Sequence, residues 1–129
     1  MKIYCTICSK SKEDSHELIE SIKKYKSERI ISIYQKSKED KVEFRILSGK
    51  FGLLGSKEKI PNYDELLTMD KIPQLKELIK KQIALENIDY IVFFIGDVKQ
   101  DPNNKNYIDL IKKVCFESKI KLEILDVLS

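Results

Sequence analysis

The chain is poor in residues that break, staple or decorate a fold. Four glycines, three prolines and no low-complexity run leave nothing that reads as a flexible linker, a collagen-like segment or an internal repeat. Three cysteines (Cys5, Cys8 and Cys115) are an odd number in a chain long enough to do without staples, so reduced thiols are expected. One histidine, His16, and no second cysteine pair leave a zinc site without ligands, and no metal or cofactor is implied. Long apolar runs are missing too: the longest, Tyr90-Ile91-Val92-Phe93-Phe94-Ile95, falls far short of the roughly 20 residues a membrane-spanning helix needs. At the N-terminus charges follow the first apolar stretch at once and no small-residue cleavage site appears, which reads as a cytoplasmic chain with no membrane partner. Arginine is nearly absent. Only Arg29 and Arg45 are arginines among 24 basic residues, and the net charge is only +3. Lysine is a point charge rather than a planar fork, so bulk charge gives nucleic-acid binding little support.

What is present suffices for a single domain over residues 1–129, with 42% apolar residues to fill one core. Lys2 to Cys8 is β-rich and apolar and reads as a strand running into the polar loop Ser9-Lys10-Ser11-Lys12. Ser11 and Asp14 stand in capping relation, and Leu18, Ile19, Ile22 and Tyr25 recur at helical spacing, which predicts a helix over about 13–26. Ile30, Ile31, Ile33 and Tyr34 predict a second short helix before the charged run Lys36 to Lys41, and Val42, Phe44 and Ile46 alternate as a strand ending at Ser48. Ile72, Leu75, Leu78, Ile79 and Ile83 predict a helix with Pro73 in its first turn. The stretch Asp89 to Ile95 is apolar on both parities, as a central parallel strand is. Tyr107, Leu110, Ile111, Val114 and Cys115 give a last helix, and Ile120, Leu122 and Ile124 a last strand. The expected fold is α/β: a three-layer sandwich with a mostly parallel, Rossmann-like sheet of about four strands.

Such sheets bind ligands beyond the carboxyl ends of their strands. Three loops should open there. The first carries Ser9, Lys10 and Lys12, whose N–H and ammonium groups suit an anion, although the glycines and Lys-Ser/Thr ending of a P-loop are missing. The second, Ser48-Gly49-Lys50-Phe51-Gly52, joins a hydroxyl, an amine, an aromatic face and two glycines at one strand end. That set suits a planar or phosphorylated ligand, with Phe51 stacking and Gly52 permitting close approach; as a tight turn, it would instead use Phe51 and Leu53 to plug the core. Tyr63 and Asp64 can fold back over it. The third loop begins Gly96-Asp97, and Asp97 is the best-placed carboxylate for acid–base work or ribose contact. Cys5-Thr6-Ile7-Cys8 has the spacing of a thiol redox motif, but both cysteines fall inside the strand pattern rather than at a helix start.

The segment Ile46-Leu47-Ser48-Gly49-Lys50-Phe51-Gly52-Leu53-Leu54, followed by Ile60-Pro61-Asn62-Tyr63-Asp64, resembles a signature of small bacterial domains in the YaaA-like group of peroxide-stress proteins, with Cys8, Ser9 and Lys12 matching their first loop. Cys8 and Lys12, with Ser15 and His16, are also similar to the Cys-x-x-x-Lys signature of archaeosine synthases, which would make Lys12 a candidate amine nucleophile. Both resemblances imply nucleobase, nucleotide or nucleic-acid ligands. The function expected is binding of such a ligand at the strand ends, extending to chemistry at the base or glycosidic bond through Lys12 and Asp97. Two alternatives stand beside it: a redox module using Cys5 and Cys8, and a non-catalytic interaction module.

Overall fold

The computed structural model describes residues 1–7, 19–20, 28–56, 58–60, 69–96 and 104–126. In chain order they form β1 (Lys2–Ile7), β2 (Ile19–Glu20), α1 (Glu28–Asp40), β3 (Glu43–Ser48), β4 (Gly52–Gly55) and β5 (Lys59–Ile60). A 3-10 turn at Met69–Lys71 then leads into α2 (Ile72–Glu86), β6 (Tyr90–Ile95), α3 (Asn104–Ser118) and β7 (Lys121–Asp126). One sheet has the order β4-β3-β1-β6-β7, and β2 pairs separately with β5. Strands β3, β1, β6 and β7 are parallel, and β4 runs antiparallel to β3. The fold is therefore α/β with a mostly parallel sheet. It has five strands rather than the four expected, because Gly52-Leu53-Leu54-Gly55 folds back on β3 as an edge strand instead of remaining a loop. Among the described residues no helix is long and apolar enough to cross a membrane.

Alternation along the strands divides the core. Ile3, Cys5 and Ile7 of β1 and Ile91, Phe93 and Ile95 of β6 pack with the apolar stripes of α2 and α3. Tyr4, Phe44, Ile46, Val92 and Phe94 pack with Ile30 and Ile33 of α1 in a second cluster. Side chains of opposite parity leave a strand on opposite faces, so these are two cores separated by the sheet. This explains why β6 reads as apolar throughout.

Each described helix ends by the same device. Lys41, Asn87 and Lys119 take left-handed backbone angles, with φ of 58°, 56° and 58°. The next residue donates its N–H back to a carbonyl in the last turn: Val42 to Ser37, Ile88 to Ile83 and Ile120 to Cys115, at 2.8–3.0 Å. This is the Schellman arrangement, with an apolar residue turning inward immediately after the left-handed one. Glycine is the usual occupant of that position. Here Lys and Asn accept the strain, and each short exit starts the next parallel strand.

Two segments depart from the spacing-based expectation. Helix α1 runs on through the charged stretch to Asp40, where Lys36 and Asp40 pair at 3.3 Å one turn apart and the buried Ser37 hydroxyl donates to the Tyr34 carbonyl. Ile19 and Glu20, inside the span of the predicted first helix, instead pair antiparallel with Ile60 and Lys59. The remainder of that helix lies outside the described residues.

Tyr4 ties β1 to the end of α1. Its hydroxyl donates to Asp40 Oδ2 at 2.5 Å, and this bond, then burial, pushes the phenol up from 10.0 to about 12, while Asp40 is held below its ordinary value. A raised phenol favours the protonated folded form, so its stabilising contribution is complete below pH 10 and disappears as pH rises through about 12. A phenolate absorbance titration of the six tyrosines should show a late step near pH 12 that Tyr4→Phe removes. The same variant should lose less stability than the parent over that interval.

Candidate ligand-binding edge at the strand carboxyl ends

The sheet order places the change of direction between β1 and β6. From β1 the chain reaches β3 on one side by way of α1, and from β6 it reaches β7 on the other side by way of α3. The two helices cover opposite faces, so β1 and β6 are followed by helices that diverge to opposite sides of the sheet. A crevice at such a divergence is where doubly wound sheets accept ligands. β3 is parallel to both strands, so the hairpin after Ser48 opens on the same edge.

Two described side chains define the floor of this edge. Thr6 is fully buried; its hydroxyl donates to the Phe94 carbonyl at 2.8 Å and accepts a close hydrogen bond from Arg29 Nη1. Arg29 Nη1 also donates to the Ile7 carbonyl at 3.1 Å, the last of β1. The guanidinium at the start of α1 is thus pinned across the end of the central strand. A half-buried guanidinium there places positive charge at the strand end, in surroundings of low local dielectric. Sequence patterning did not single out Arg29 as a site residue: its bonds to the Ile7 carbonyl and the Thr6 hydroxyl leave no motif. The available signal was its rarity in a chain otherwise supplied with lysine.

Ser48, Lys50, Phe51 and Gly52 share one tight hairpin at the end of β3. Ser48 is fully buried and its Oγ accepts from the N–H groups of Lys50 and Phe51, both at 3.1 Å. Gly52 lies directly opposite Ser48 with φ of 71°, a left-handed angle suited to the close of a short hairpin. A Cβ on Gly52 would sit 2.6 Å from Gln82 Oε1, so the end of that side chain would have to shift, and the backbone angle itself favours glycine. Phe51 is half-buried against the cluster around Ile30 and Phe44, and Lys50 Nζ stands 5.6 Å from its ring centre. Gly96 lies at the end of β6, where its carbonyl accepts from the buried Asn104 at the start of α3. Lys12, Asp97, Ser9, Lys10, Tyr63 and Asp64, together with Cys8, lie outside the described residues.

Cys5 is fully buried in β1, and burial pushes its thiol well above the ordinary range; Cys115 is pushed up to about 12 for the same reason. Inaccessible protonated thiols are poor nucleophiles. A cavity of about 590 Å³ lies toward the other end of β3, lined by Tyr34, Lys38, Glu43, Arg45, Glu58 and their neighbours. Its arginine is held in the wall by Glu86 at 2.6 Å and Glu43 at 3.3 Å. The cavity thus stands away from the carboxyl ends of β1 and β6. No family model, curated protein or solved structure matches this chain.

Proposed function

We propose that this chain is a cytoplasmic domain that binds a nucleotide, nucleobase or nucleic-acid end at the carboxyl edge of its sheet. The observation that carries this reading is the reversal of strand order between β1 and β6, with Arg29 pinned across the end of β1. In this reading the field of Arg29 favours a phosphate, Ser9 and Lys10 complete its cradle, and the Ser48–Gly52 hairpin forms one wall. Gly96 lies at the opposite side, and Tyr63 with Asp64 closes over the ligand. Lys12 and Asp97 are the groups proposed for any chemistry at the base or glycosidic bond. The YaaA-like and archaeosine-synthase resemblances support the same ligand class.

The test is an amide NMR titration with AMP, GMP, guanine, deazaguanine and a short single-stranded oligonucleotide. Shifts should cluster at Thr6, Ile7, Arg29, Ser48 to Gly52 and Gly96, with phosphorylated ligands moving Arg29 more than free bases do. Silence at these positions for every ligand would overturn the proposal.

A further inference from the structure

The two edges of the sheet are finished differently. In β4 the N–H groups of Leu53 and Gly55 are taken by side chains: Gln82 Oε1 accepts from Leu53 at 2.8 Å, and Glu58 Oε1 from Gly55 at 3.0 Å. Gln82 Nε2 also donates to the carbonyls of Phe51 and Leu53. One side-chain amide therefore takes the place of a neighbouring strand and seals that edge against pairing. At the opposite edge β7 carries no such seal among the described residues. Lys121 donates its N–H inward to the Asp89 carbonyl, so Lys121, Glu123 and Leu125 hold the ladder to β6. By the two-residue period, Leu122 and Ile124 turn their backbone groups outward. The strand is accessible: Lys121 and Glu123 are exposed, Leu122 and Ile124 are half-buried, and Leu125 is 37% exposed.

We propose that β7 is a homodimerisation edge, where the β7 strands of two copies pair antiparallel about a two-fold axis at Leu122. An axis normal to a continuous sheet sets residues of the same parity opposite each other, which leaves few registers. With the axis at Leu122, that residue faces its own copy and exchanges both backbone bonds with it. Lys121 then faces Glu123 of the second copy, and Ile120 faces Ile124, each pair occurring twice. Moving the axis to Glu123 sets two carboxylates against each other, and moving it to Ile124 sets Leu122 against Asp126. Unlike charges and matched apolar pairs therefore select Leu122, because directly opposed cross-strand pairs decide register. The result is two five-stranded sheets joined into one, with the sealed β4 edges outermost.

Sedimentation and light scattering from micromolar to millimolar protein should find a concentration-dependent dimer. Lys121→Glu and Glu123→Lys should each weaken association about tenfold by opposing like charges twice across the axis, and the double exchange should restore it. Both positions are exposed, and circular dichroism should show that the variants fold. The amides of Leu122 and Ile124 should exchange slowly in concentrated protein and rapidly when dilute. A chain that remains monomeric throughout the range, single variants that associate like the parent, or a double variant that fails to recover would each overturn the proposal.

Discussion

Phe93→Ala should lower the folding stability by about 3–5 kcal/mol, the range for removing a fully enclosed aromatic ring. Phe93 is 0% exposed, and its strand is flanked on both sides, with Cys5 of β1 and Ile124 of β7 as its register partners. Its ring belongs to the cluster that holds α2 and α3 to the sheet. A domain of this size has about 5–15 kcal/mol in total, so the substitution removes a large fraction of it. Urea unfolding should show a lower midpoint with an unchanged slope. Phe116→Ala is the control: that ring is 84% exposed, and its loss should stay within about 0.5 kcal/mol. A Phe93→Ala loss below about 1 kcal/mol would mean that α2 and α3 close fully over the vacated volume.

The same strand shows what patterning can read. A run apolar on both parities has no solvent face, and β6 lies between two parallel neighbours with a separate core on each side. Helices α2 and α3 were legible for a related reason, since one apolar stripe meets one cluster. The β4 edge was not. Gly52-Leu53-Leu54-Gly55 has glycine at both ends and no alternation, and its outward amide at Leu53 is satisfied by Gln82 from a helix much later in the chain. Nothing local announces such a partner. The pairing of Ile19 with Ile60 was hidden similarly, because Leu18, Ile19, Ile22 and Tyr25 also fit a helical stripe and a two-residue strand has no period of its own. At the candidate edge, composition located the hairpin after Ser48. It did not reveal that the buried Ser48 hydroxyl accepts two backbone N–H groups, nor that Arg29 reaches the end of β1.

Thr6→Val tests whether that pinned arginine serves the fold alone or also a ligand. Valine keeps the size and branching of threonine, so the change isolates the hydroxyl. Two groups lose a partner: the Phe94 carbonyl, which accepts from Thr6 at 2.8 Å, and the Arg29 guanidinium, which donates to it. Losing two hydrogen bonds of a buried hydroxyl, one of them from an ionised donor, should cost about 2 kcal/mol in urea unfolding. Arg29 keeps its bond to the Ile7 carbonyl but loses the Thr6 hydroxyl as an anchor, so its charge is held less firmly over the strand end. If the edge binds a phosphorylated ligand, AMP or GMP affinity should fall about tenfold under conditions where the variant is fully folded, because orienting a charge is part of what a preformed site supplies. Arg29→Lys should weaken the same ligands while keeping the charge, since an ammonium cannot reproduce the planar fork. Lost stability with unchanged nucleotide affinity would instead make the Thr6–Arg29 pair a clasp between α1 and β1, and the ligand would have to be sought away from the end of β1.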